Sequence, residues 1–225
     1  IMDWKSKRII KSFSLNRAQI QKTVGILNEN RLDFMLHKKI PDNHFFYFKK
    51  CSDKADDFEA RCNVYSRCSM EWDDEAVISM DEACQFVVIV NEENENDHVS
   101  RYISLKEKLE SLGSLHIIRT TSPLDRKTLW IEIFPEGVSK AHAVRSIADM
   151  AGIDYPSIAA VGNDYNDIDL LRWVKNGFIV GNAPDDLKRE FINVKSNNES
   201  GFSDAVEKWL NIQFLSKVKG GEYVG

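Results

Sequence analysis

Within residues 157–173, SIAAVGNDYNDIDLLRW, a short apolar run (Ile158, Ala159, Ala160, Val161) stops at Gly162. Asn163, Asp164, Asn166 and Asp167 follow before apolar residues resume at helical spacing. The pattern predicts a buried strand, a tight turn and the start of a helix. In a parallel α/β sheet ligands bind at the carboxyl ends of the strands, and carboxylates and amides crowded there supply the hard oxygen ligands that Mg²⁺ prefers. Ordinary helix chemistry is the competing explanation, because Asp167 and Asp169 complement the helix dipole and an acid or amide caps a first turn. Caps account for one or two such residues, not for five carboxylate and amide side chains in seven positions (163–169).

Lys140 is the second informative residue. It falls in the first turn of a predicted helix, where a cation opposes the macrodipole at a cost of roughly a few tenths of a kcal/mol. An anion held between its ammonium and the amides of nearby Gly- or Ser-rich turns would offset that, which is a common way of binding phosphate. The alternative is a solvated surface lysine. Asn182 and Ala183 before Pro184 form a third candidate site, with Pro184, Asp185 and Asp186 as ordinary helix-start residues and the Asn182 side chain available to a neighbour. His37 and His44 flank a turn, but six intervening residues are not a recognised metal-ligand spacing, so both are expected to be exposed strand histidines.

The elements that must position these groups follow from periodicity. Residues 1–13 alternate apolar and charged positions as a hairpin with Met2, Trp4, Ile9 and Ile10. A helix is predicted from Asn16 to about Asn30, then strands over 32–37 and 44–49 around Pro41. A helix from Asp56 to about Ser66 and a loop come next, then a strand over 85–90, a polar loop over 91–97 and an amphipathic helix over 98–112 ended by Gly113. Strands over 115–120 and 128–134 complete what reads as an antiparallel sheet with helices on one face. After Pro135 helices and strands alternate: a helix from Lys140, the strand before Gly162, strands over 178–180 and 191–194, a short helix to about Glu190 and a closing helix over 203–215. That rhythm implies a parallel, doubly wound sheet. The predicted division is a core hairpin over 1–13, an α+β domain over 14–133, an α/β segment over 134–216 and a frayed tail over 217–225.

Composition narrows the function classes. The 225 residues are 43% hydrophobic and 29% charged with a net charge of -5, and the basic residues are scattered, so no electrostatic footprint for nucleic acid is present. Cys51, Cys62, Cys68 and Cys84 form no CxxC pair, which points to reduced thiols in a cytoplasmic protein. Neither a membrane-crossing apolar stretch nor a secretory signal is read in the chain. The chain opens Ile1, Met2, so the native polypeptide is expected to begin earlier.

Three segments, GVSKAHAV around Lys140, GNDYNDIDLL at 162–171 and VGNAPDDLK at 180–188, resemble in order and spacing the later motifs of the haloacid dehalogenase superfamily, within it the Cof-type phosphatases with a C2 cap. The resemblance implies an HAD-like, Rossmann-type parallel core with an α+β C2 cap over 14–133. It also implies Mg²⁺-dependent hydrolysis of a sugar phosphate or other small phosphate monoester through an aspartyl-phosphate. Carried over by position, Lys140 binds phosphate and orients the nucleophile, Asp167 belongs to the Mg²⁺ acid pair with Asn163 and Asp164 as the neighbouring metal candidates, and Asn166 and Asn182 lie on the substrate side. The partner is then a small phosphorylated metabolite, with neither nucleic acid nor membrane involved. Two departures stand out. The family has an acid directly after the glycine where this chain has Asn163, and no DxD after an N-terminal strand is found, so the core is expected to be incomplete at its N-terminus. The alternative is a catalytically inactive truncated relative that serves as a binding or interaction module.

Overall fold

The computed structural model describes residues 1–53, 55–90 and 95–219, with the backbone alone at 95–96 and 216–219. The chain divides into two compact units, Ile1–Val138 and Ser139–Gly225.

The first unit opens with a hairpin, β1 (Met2–Asp3) and β2 (Arg8–Ile9), turned by the Asp3 carboxylate, which accepts from Lys5 N–H (2.9 Å) and Ser6 Oγ–H (2.7 Å). Then come β3 (Leu15–Asn16), α1 (Arg17–Glu29), β4 (Asp33–Lys38), β5 (Phe46–Lys49), α2 (Asp56–Val64), β6 (Ser69–Glu71), α3 (Asp74–Ile78), β7 (Glu82–Val90), α4 (Glu95–Glu110), β8 (Leu115–Thr121) and β9 (Leu129–Pro135). α1 starts where sequence predicts because Asn16 and Gln19 form a reciprocal capping box, each side chain bonding the other's backbone N–H.

The strands make one sheet in the order β6-β5-β4-β7-β9-β8, with β3 also on β7. Alternation along the strands sorts side chains onto two faces. Phe34, Leu36, Phe86, Val88, Ile131 and Ile133 meet Ile20 and Leu27 of α1 and Leu105 and Leu109 of α4 on one face. Met35, Val87, Ile89 and Trp130 meet Phe46 and Phe58 on the other, the latter on α2. Helices therefore cover both faces, not one, and β5 pairs β6 in parallel within an otherwise antiparallel sheet. β6 and α3 occupy what sequence assigned to loop. The predicted polar loop falls partly on residues 91–94, outside the described residues, and α4 already begins at Glu95.

His37 also departs from expectation, for it is 6% exposed. Its Nδ1 donates to the Asn43 carbonyl at 2.8 Å, its ring stacks 4.9 Å from Phe46, and its Nε2 is buried without a partner among the described residues. Burial, with a smaller push from Arg61, lowers its pKa from 6.5 to about 4. The unfolded chain binds this proton below pH 6.5 and the fold does not until about 4, so stability is full above 6.5 and falls through that window. At roughly 1.4 kcal/mol per unit the loss reaches about 3 kcal/mol. Urea titrations above and within the window are expected to show it, with His37→Leu flattening this component; an unchanged slope in the variant would exclude His37 as its source.

The second unit contains α5 (Lys140–Ala151), β10 (Ala159–Gly162), a 3-10 turn (Tyr165–Asp167), α6 (Ile168–Trp173), β11 (Asn176–Val180), α7 (Asp185–Glu190), β12 (Ile192–Val194) and α8 (Gly201–Lys219). Ser139 caps α5 by accepting from His142 N–H (3.2 Å), and Gly152 ends it in the left-handed conformation. β10, β11 and β12 are parallel and lie in chain order, so these three strands contain no reversal of the kind a doubly wound sheet requires. Every residue of β11 is buried, as expected for a strand covered on both faces. α8 starts at Gly201 and runs through Lys219, into the stretch predicted as frayed; residues 220–225 lie outside the described residues. Among the described residues no helix is long and apolar enough to cross a membrane.

Candidate functional site

β10 carries the chain to its carboxyl end at Gly162, where a Cβ would lie 2.7 Å from Asp167 Cβ and 2.8 Å from Leu171 Cδ1. Only a residue without a side chain lets the turn fold back so tightly. Asp164 then caps the 3-10 turn, its Oδ1 accepting from Tyr165 N–H at 2.8 Å, and its carbonyl accepts from Asp167 N–H at 3.0 Å. This delivers the Asp167 carboxylate back over the strand end. Its Oδ2 accepts from Asn163 N–H at 2.9 Å, and its Oδ1 accepts from the Lys140 ammonium.

Lys140 Nζ also reaches Asn166 Oδ1 at 3.4 Å, so Lys140, Asn163, Asn166 and Asp167 converge. The Asp167 side chain is 8% exposed and that of Lys140 49%. The anion that offsets a lysine in the first turn of α5 is thus a carboxylate of the protein, and the half-exposed ammonium keeps hydrogen-bonding capacity toward solvent. Asp164 is buried and Asn163 exposed.

Among the described residues Asn182 makes no hydrogen bond to this cluster. It follows β11, which runs parallel to β10, and its Oδ1 accepts from Asn197 N–H at 2.9 Å, tying down the chain after β12. Tyr165 is a contributor that sequence reasoning missed: its hydroxyl donates to the Asp186 carboxylate at 3.1 and 3.2 Å, linking the acidic turn to the start of α7. Aromatic residues inside polar turns are the signal that could have found it.

The donor set consists of oxygens alone, which suits Mg²⁺ in kind. Among the described residues no group of three His, Cys, Asp or Glu side chains forms a cage. Mg²⁺ does not need one, because it commonly takes one or two carboxylates and completes its shell with water and phosphate. Asp167 and the oxygens of Asn163 and Asp164 fit that role, with less negative charge than an acid at 163 would give.

Comparison with known proteins agrees with this architecture. A family model described as haloacid dehalogenase-like hydrolase matches residues 1–206. The 5-amino-6-(5-phospho-D-ribitylamino)uracil phosphatase YwtE of Bacillus subtilis is 33% identical over 85 residues, 37% of this chain and 30% of that protein. The stretches matched span about 30% of the length of the curated relatives. Among solved structures, the phosphatase BT1666 from Bacteroides thetaiotaomicron shares the fold with a TM-score of 0.68 at 18% identity, over 91% of this chain and 69% of that one. The subclass IIB sugar phosphatase BT4131 does so with 0.66 at 17%, over 91% and 70%. Because one family model runs through both units, hairpin, sheet domain and parallel strands alike, the chain belongs to the haloacid dehalogenase-like hydrolases.

Proposed function

We propose that the protein carrying this chain is a Mg²⁺-dependent phosphatase of small phosphate monoesters, sugar phosphates among them, with residues 14–133 as its cap. The observation that carries the reading is the convergence of the Lys140 ammonium, the Asn166 amide and the Asp167 carboxylate at the carboxyl end of β10. Names of relatives support the substrate class: YwtE is a phosphatase of a phosphorylated ribityl compound and BT4131 a sugar phosphatase. Bound Mg²⁺ supplies charge neutralisation for phosphoryl oxygens and would be held by Asn163, Asp164 and Asp167.

The remaining roles belong to the chain itself. Asp167 fixes where the Lys140 ammonium points, and Lys140 presents its remaining N–H to a phosphoryl oxygen, a charge-assisted bond of the stronger kind. Asn166 orients the same ammonium, while Asn182 shapes the neighbouring strand end through Asn197. The reading requires an attacking aspartate, which the family resemblance assigns to an earlier motif than the three around Lys140, Gly162 and Asn182. A non-catalytic binding role is the competing reading, favoured by the amide at Asn163.

Lys140→Ala is expected to weaken inorganic phosphate binding by about tenfold or more, measured by isothermal titration calorimetry. An unaltered dissociation constant would remove Lys140 from the site. Turnover of a phosphate-ester panel with and without Mg²⁺ separates enzyme from binding module.

A further inference from the structure

Arg61, on α2 in the first unit, is held in an unusual way. Its guanidinium lies 4.5 Å from the Trp130 ring centroid and 5.2 Å from that of Tyr65. The residue is only partly exposed and its Nε is buried without a hydrogen-bond partner. A guanidinium carries five N–H donors in a planar fork, and among the described residues none of them is bonded to a protein acceptor and no carboxylate pairs with it. Asp57, one turn earlier, spends both carboxylate oxygens elsewhere, on Ser122 Oγ–H and Trp130 Nε1–H, each at 2.6 Å. Asp57 and Glu132 lend Arg61 a favourable potential from a distance, and burial still pulls its pKa below the ordinary arginine value.

The rings compensate part of the desolvation, since a cation over an aromatic face gains roughly 0.5–2 kcal/mol. They do so from above the guanidinium plane, however, and satisfy no N–H. Stacking therefore fixes the plane of the fork, with Nε sealed and the two Nη groups not buried and without a protein partner among the described residues. That is the arrangement that suits bidentate capture of a carboxylate or phosphoryl group, where a pre-oriented fork loses little rotamer entropy on binding.

We propose that Arg61, buttressed by Trp130 and Tyr65, is an oxyanion-binding residue of the first unit, taking the carboxylate or phosphoryl group of a small ligand. The site stands on this unit alone and does not depend on the phosphatase reading.

The test follows the Trp130 indole N–H signal by NMR, assigned through Trp130→Phe, while the wild-type chain is titrated with inorganic phosphate and, in a separate arm, with acetate. The expected result is a saturable shift in one arm or both, kept in Lys140→Ala and weakened by about tenfold or more in Arg61→Gln. The arm that responds distinguishes phosphoryl from carboxylate. Arg61→Lys keeps the charge without the fork and is expected to weaken the same response, which preserves the test should Arg61→Gln fail to fold. No saturable shift in either arm, a shift unchanged in both Arg61 variants, or one abolished by Lys140→Ala overturns the proposal. An unaltered phosphate affinity at the second unit in Lys140→Ala, with an intact Trp130 response, would fail the phosphatase reading and leave this one standing.

Discussion

Asp167→Asn is expected to lower Mg²⁺-dependent hydrolysis of phosphate esters by about 10²–10³-fold in the protein that carries this chain, the range seen when one pre-organised electrostatic contact is lost. The substitution keeps the shape of the side chain and removes its charge. One of its two polar atoms becomes an NH₂, which must face either the Lys140 ammonium or the Asn163 N–H, donor against donor. The ammonium is then no longer fixed, and the carboxylate proposed above as a Mg²⁺ ligand loses its charge. Stability should respond far less. Lys140 is half exposed and can return to water, so the ion pair is worth about 1 kcal/mol or less to the fold. A large fall in kcat/KM with a nearly unchanged melting temperature is therefore the signature. Unchanged turnover would remove Asp167 from the machinery, and a collapse of both quantities together would make its role structural.

Asp57→Ala is expected to destabilise the first unit by about 3 kcal/mol, because it strands two buried donors at once. Asp57, Ser122 and Trp130 are all buried, and the carboxylate is the acceptor for both the hydroxyl and the indole N–H. Ser122 Oγ in turn accepts from Leu124 N–H at 3.0 Å, so the turn between β8 and β9 shares the loss. Asp57→Asn should cost about 1 kcal/mol, since its amide oxygen still serves one donor and the Ser122 hydroxyl can rotate to accept from the other end. Urea titration followed at the Trp130 indole signal reads the first unit without assuming that both units unfold together. Equal midpoints for wild type and Asp57→Ala would show that water replaces the carboxylate at no cost.

These two residues also mark how far the sequence could be read. For Asp167 the neighbours that matter are close in the chain: Gly162 permits the fold-back, Asp164 caps the turn, and Asn163 gives the backbone N–H. Such signals act within a turn or two of backbone, so residue type and spacing carry them. The same reason made the Asn16 and Ser139 caps, the Gly152 terminus and most strand positions legible. By itself, then, the sequence determined the local elements, the Lys140 and Gly162 motifs and the family to which they belong.

Asp57 falls in the first turn of the helix predicted from Asp56, and nothing local marks it out, because its partners stand 65 and 73 residues away, on and beside the far strands of the sheet. Tertiary structure alone decided that α2 lies on the face opposite α1 and α4, that β6 adds a parallel edge, and that His37 is sealed between Phe46 and the Asn43 carbonyl instead of exposed. It also decided that the counter-charge of Lys140 is a carboxylate 27 residues on. Alternation along a strand says which residues share a face but not which helix will cover it, and a charged side chain looks solvated until the sheet brings its donors together. The physical reason is that local propensity is written in neighbours, whereas burial and pairing are set by strand order and register across the whole sheet.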